Sequence, residues 1–218
     1  GIITGFGYAF GNTVLLGLPL ILTTFGDEAA FPFFLLLSIH GLCFFTFTTF
    51  FLEYARNRHK GLAHLPKEIG KAIGTNPILI AIILGLTLNL TGSAIPGPLD
   101  DICALMQKAV TPCSLFALGA SLTKYGIAGR VWQAVTMSTA KLVVMPAVVF
   151  VMAHFVFQVE PLWTMVAVLM AAQPSGVMTY IFAEKYGTGQ AIATTAIFMS
   201  TTASVVTLSV ILYLFDVR

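Results

Sequence analysis

Gly11-Asn12-Thr13, followed by Gly17-Leu18-Pro19, lies inside one apolar run, and Gln173-Pro174-Ser175-Gly176 lies inside another. Gly and Pro in mid-helix interrupt the hydrogen-bond ladder, glycine through backbone freedom and proline by lacking an N–H and crowding the preceding turn. Each interruption leads to an aromatic–Gly pair, Phe25-Gly26 and Tyr186-Gly187, then to a short polar turn and a further apolar helix. The two stretches therefore read as a repeat. Aligning the aromatic–Gly pairs gives an offset of 161 residues and puts Asn12 over Gln173, whereas aligning the breaks gives about 163 and puts Asn12 over Ser175. Both registers are open at this stage.

These runs belong to a chain of 218 residues, 57% hydrophobic and 9% charged, against about 45–50% apolar and about 25% charged in soluble domains. A soluble globular domain is excluded, and 18 Phe argue equally against disorder. Seven segments, about 2–24, 31–53, 76–91, 102–122, 133–157, 162–183 and 190–214, are long and apolar enough to read as membrane helices. Continuous apolar runs without alternation exclude a barrel, so the fold class is all-α, polytopic in a lipid bilayer. No catalytic signature accompanies them. Ser38 and His40 are two apart and do not share a helix face, so no enzyme is read here.

The net charge of +2 and the scattered Lys and Arg give no stripe for nucleic acid. Cys43, Cys103 and Cys113 have no paired spacing, so neither disulfide, metal nor other cofactor is expected. The placement of charge is more informative. Arg56, Arg58, Lys60, Lys67, Lys71, Lys124, Arg130 and Lys185 fall in alternate connections, while Asp27, Glu28, Asp100, Asp101 and Glu160 fall in the others. The basic connections read as cytoplasmic, which starts the chain inside and ends it outside. The stretch 54–75, with Leu62, Leu65, Ile69 and Ile73 among its charges, reads as a short helix on the inner membrane surface.

With this orientation the two interrupted helices cross in opposite directions, the pattern of an inverted-repeat transporter. A half-helix restarting inside the membrane directs unpaired N–H groups and about half a positive charge at whatever lies beyond its N-terminus, which suits an anion.

Asn12-Thr13 followed by Gly17-x-Pro19, and Ala172-x-Pro174-x-Gly176 followed by Ile181-Phe182-Ala183 and Tyr186, resemble the auxin efflux carrier family of plants and bacteria. Phe51-Leu52-Glu53-Tyr54, Asn76-Pro77, Pro96-Gly97-Pro98-Leu99 and Leu115-Phe116-Ala117-Leu118-Gly119-Ala120-Ser121-Leu122 extend the resemblance along nearly the whole chain. The resemblance implies ten spans in two inverted repeats of five, with the fourth and ninth broken and crossing. It implies that this chain, which opens at Gly1-Ile2-Ile3 without an initiator Met, begins at the fourth span, with three N-terminal spans missing. Residues 1–53 are then the remainder of the first repeat, 54–75 a cytoplasmic basic linker and 76–218 the second repeat. A homodimer and a multi-pass place in the cell membrane, the inner membrane in a bacterium, are further implications. So is a block of crossed helices moving against a scaffold that includes the second, third, fourth and seventh segments.

The expected substrate is a small organic anion such as a carboxylate, moved by alternating access. Two rivals are a channel, which would need a continuous polar pore lining where these helices carry few aligned polar residues, and a non-transporting membrane sensor or scaffold derived from a truncated carrier. Gly11, Asn12, Gln173, Pro174, Ser175, Gly176, Thr179 and Lys141 are the candidate substrate-binding residues. Asn12 is either a ligand or an interhelical hydrogen-bond former. Ser175 and Gly176 are expected to offer backbone N–H groups, Ser175 a hydroxyl as well, and Gln173 a donor beside the break. Plant carriers have Pro where Gly11 stands, and bacterial relatives often have Asn where Met178 stands, so either Thr179 compensates or the ligand is less polar than usual. Lys141 either snorkels to the inner surface or pairs with a substrate carboxylate. Lys108 is read as snorkelling outward, His154 as interfacial, and His40 as either a packing histidine or a proton carrier.

Overall fold

The computed structural model describes residues 2–56, 70, 74, 75 and 77–215. Among these residues the fold is all-α: no β-strand is present beyond a single isolated bridge. The helices are α1 (Ile2–Ala9), α2 (Leu18–Phe25), α3 (Ala30–Arg56), α4 (Pro77–Thr91), α5 (Gly97–Leu122), α6 (Val131–Thr139), α7 (Met145–Phe150), α8 (Pro161–Ala171), α9 (Met178–Lys185) and α10 (Gln190–Leu214). Three helical stretches are long and apolar enough to cross a membrane: Asp27–Leu52, Val131–Val156 and Gln190–Leu214. The stretch 54–75 read as a surface helix, with its basic residues, falls largely outside the described residues, as do Asp216 and Arg218.

Two proline-containing helices are widened just upstream of the proline. A π-helical turn, Thr13–Gly17, precedes α2 with Pro19 in its first turn, and another, Ala140–Val144, precedes α7 with Pro146 in its first turn. Proline removes an N–H and crowds the carbonyl one turn back, and a wide turn at that point relieves both defects without ending the helix. A third π-helical turn, Val151–Val156, finishes the long span. The sequence reading of 133–157 as one helix thus holds in extent but not in pitch. The aromatic–Gly pairs do close their helices: Gly26 has φ 72° and Gly187 φ 63°, the left-handed region open to glycine.

The chain divides into two compact units. The first comprises Gly1–Phe33 and Pro112–Arg218. Within it α10 lies along α6, α7 along α8, and α1 packs on α6, α9 and α10. Its interior is close-packed and aromatic: Phe6 stacks on Phe10 at 4.8 Å between ring centroids and meets Phe182 edge-on at 5.1 Å. In lipid, helices associate through packing and interhelical hydrogen bonds, which rewards small residues at contacts. Gly7 fits this pattern, because a Cβ there would come within 2.8 Å of the Met137 sulfur.

The second unit is Phe34–Thr111. Many of its described apolar side chains face outward, Ile83, Leu84, Leu90, Leu105 and Met106 among them, as suits a surface bathed in hydrocarbon. The His40 ring lies 4.5 Å, centroid to centroid, from that of Phe44. Lys108 is exposed.

Candidate functional site at the helix crossing

The two interrupted helices lie in the first unit and meet at their breaks. Gly11 and Ser175 face each other as an antiparallel pair. Asn12 N donates to Pro174 O at 2.7 Å, and Gly176 N donates to Phe10 O at 3.0 Å. These two bonds interchange under an offset of 164 residues, which carries Asn12 to Gly176 and Phe10 to Pro174. That register replaces both sequence registers at the break itself. It relaxes to 161 at Gly26 and Gly187 because the first helix restarts over Thr13–Phe25, whereas the second restarts only over Met178–Lys185.

The amides expected to be open at the second break are engaged. Ser175 N donates to the Ser200 hydroxyl at 3.0 Å, the Ser175 hydroxyl donates to Gly7 O at 3.3 Å, and Gly176 N is held by Phe10 O. The correction has a simple cause: a buried N–H without a partner costs about 1–3 kcal/mol, and the crossing helix offers carbonyls at the right distance. Gly176 also fits a tight approach, since a Cβ there would lie 2.9 Å from Gly11 O.

Other groups remain open. Asn12 Nδ2, Thr13 Oγ1, Gln173 Oε1 and Thr179 Oγ1 are all buried and lack a hydrogen-bond partner among the described residues. Gln173 is completely enclosed, and its Nε2 donates to Leu169 O at 2.9 Å. That bond fixes the orientation of the carboxamide, because a carbonyl can only accept, and it leaves Oε1 as the open atom.

Lys141 does not snorkel. Its side chain is 1% exposed, and Nζ donates to Ala171 O at 2.9 Å. Ala171 ends α8, where carbonyls lacking intrahelical partners carry about half a negative charge, so the ammonium caps that end. Two of its three N–H donors stay available beyond this bond. Gly11 makes the approach possible: a Cβ there would meet Gln173 Cβ at 3.0 Å and Lys141 Cε and Nζ at 3.2 Å. Glycine at this break therefore provides room for a cation as well as a point of interruption.

Of the eight candidates, Gly11, Asn12, Gln173, Pro174, Ser175 and Gly176 form the crossing itself, and Lys141 reaches it from the π-helical turn after α6. Thr179 stands at the start of α9, one residue after Met178, with its Cγ2 3.0 Å from where a Gly7 Cβ would be. Sequence reading overlooked α10. Its Thr195, Ser200, Thr201 and Ser204 are buried. Ser200 holds the break, and Thr195 holds the connection before α6 by accepting from Ala128 N at 3.0 Å and donating to Gly129 O at 2.9 Å. Ser200, Thr201 and Ser204, small hydroxyl residues that share one face of a membrane helix, were the available signal.

Two helices broken at corresponding points, antiparallel where they meet and tied together there, have the architecture found in membrane transporters of the inverted-repeat kind. Residues 67–212 match the family described as membrane transport protein, and the chain belongs to that family, in which the auxin efflux carriers fall. It is similar to a candidate malonate transporter of Rhizobium meliloti, 27% identical over 96% of this chain and 66% of that protein. It is also similar to auxin efflux carrier component 8 of Arabidopsis thaliana, 25% identical over 90% of this chain and 66% of that one. An uncharacterized transporter of Methanocaldococcus jannaschii is 24% identical over 91% of this chain and 63% of its own length. The chain thus spans a little under two thirds of the length of these relatives.

Proposed function

We propose that this membrane transporter carries a small organic anion, such as a carboxylate, across the cell membrane by alternating access, as a secondary transporter and not as an enzyme. One observation supports the reading above the others: a fully buried ammonium, Lys141, stands at the crossing 3.2 Å from where a Gly11 Cβ would be, and the next residue, Asn12, has a buried Nδ2 with no partner among the described residues. The ammonium's hydrogen-bond partner there is a carbonyl, not a carboxylate. Charges inside a membrane are costly and mark substrate paths. An anion entering this site gains a cation, an amide donor and the hydroxyls of Thr13 and Thr179, and the cation gains a counter-charge. The similarity to a candidate malonate transporter supports the same substrate class.

In this reading Asn12, Lys141 and Thr179 touch the charged oxygens of the anion, while Gly11, Pro174, Ser175 and Gly176 shape the crossing that holds them and Gln173 lines it with its open acceptor Oε1. The seven-segment count, the cytoplasmic basic connections, the three-part division at residues 53 and 75 and a homodimer belong to the same proposal. The test is uptake of labelled malonate by the 218-residue chain in proteoliposomes. Saturable uptake, competed by other small carboxylates from either face, is expected. Vesicles no more permeable than empty ones would refute the proposal and favour the non-transporting alternative.

A further inference from the structure

The crossing contains one open group that an anion cannot satisfy. Asn12 Nδ2 and the Lys141 ammonium are donors and suit a carboxylate, and the Thr13 and Thr179 hydroxyls can act either way. Gln173 Oε1 can only accept. Its orientation is set by the Nε2 bond to Leu169 O, and its side chain is wholly buried. The carboxamide lies against the first broken helix, where a Cβ on Gly17 would come within 3.3 Å of its Cδ. Thr13, four residues before Gly17, has its own open hydroxyl on this restarted helix. An enclosed acceptor repels a carboxylate oxygen and calls for a donor.

We infer that Gln173 selects for a ligand carrying an O–H next to its carboxylate, a 2-hydroxy acid, by accepting that hydroxyl proton at Oε1 while Lys141 and Asn12 take the carboxylate. This rests on the carboxylate reading above and adds a second recognition element. A site that holds a hydroxyl through a buried partner rejects the analogue lacking it strongly, because the partner is then left unpaired.

The experiment is a thermal-shift titration of the detergent-solubilised chain at pH 7 with two matched pairs of acids, lactate against propionate and hydroxymalonate against malonate. Each hydroxy acid is expected to bind at least about tenfold more tightly than its partner. Gln173→Met is expected to bring both ratios to about one by weakening the hydroxy acids alone. Should that variant fail to fold, Gly17→Ala, whose methyl crowds the Gln173 carboxamide, is expected to lower the same ratios. Equal binding within each wild-type pair would overturn the inference, leaving Oε1 to water and the carboxylate reading intact. Ratios that persist in Gln173→Met and Gly17→Ala would overturn the assignment to Gln173. Binding of none of the four acids would overturn the inference and the carboxylate reading together.

Discussion

Gly176→Ala tests the crossing most directly. The added Cβ would stand 2.9 Å from Gly11 O, 3.0 Å from Phe10 Cδ1 and 3.1 Å from Gly11 C. Two of these three atoms are backbone, so the methyl cannot be accommodated by turning a side chain. The helices must separate, which strains or breaks the Gly176 N–Phe10 O and Asn12 N–Pro174 O bonds. Each such bond contributes about 0.5–1.5 kcal/mol net, and overpacking a tight contact costs about 1–3 kcal/mol, so the expected loss is about 2–6 kcal/mol. At about 2–4 °C per kcal/mol for a chain of this size, the midpoint should fall by roughly 4–24 °C. Gly5→Ala is the control, since Gly5 lies in α1 with nothing within 4 Å of its added Cβ, and it should be neutral or slightly stabilising through helix propensity. The assay is thermal unfolding in detergent followed by size-exclusion of the surviving monodisperse fraction. If Gly176→Ala melts with Gly5→Ala and the wild type, the two breaks do not meet as described.

Four further outcomes follow from the same geometry. Asn12→Ala should abolish malonate uptake in proteoliposomes with a melting midpoint close to wild type, and unchanged uptake would refute its role. Lys141→Met should remove uptake and leave Ala171 O without its cap, costing about 1–3 kcal/mol in thermal unfolding; uptake at the wild-type rate would show that the ammonium is structural only. Ser200→Ala strands the buried Ser175 N–H and should cost a similar amount, whereas Ser200→Thr should restore most of it; melting curves compare the two. Thr195→Val should speed hydrogen exchange at the Ala128 amide, which loses its acceptor, without changing exchange in α8.

Much of this arrangement could be read in the residue order. Gly11, Pro174 and Gly176 are local instructions to the backbone, and both helices break where those residues stand, whereas at Gly17 and Pro19 the helix widens and continues. The aromatic–Gly pairs end their helices because glycine alone tolerates φ values of 72° and 63° easily. What could not be read depends on partners distant in sequence. The engagement of Ser175 N by Ser200, 25 residues away, and of Gly176 N by Phe10 is a property of the crossing, so amides expected to face a ligand turned out to be paired. The direction of Lys141 is another case. Eleven residues from Arg130 along a helix allows either an outward or an inward head, and only the space left by Gly11 and the carbonyl of Ala171 settle it inward. The π-helical turns left a trace in Pro19 and Pro146, but proline signals a disturbance without saying whether a helix will kink, stop or widen.

The paired bonds between Asn12 and Pro174 and between Gly176 and Phe10 have a consequence for how such a chain can change over generations. In water a severed amide finds a new partner at once; deep within a fatty environment it finds none. A side chain too large for Gly11 or Gly176 at one end of this stitch therefore burdens the other end, more than 160 positions away along the chain.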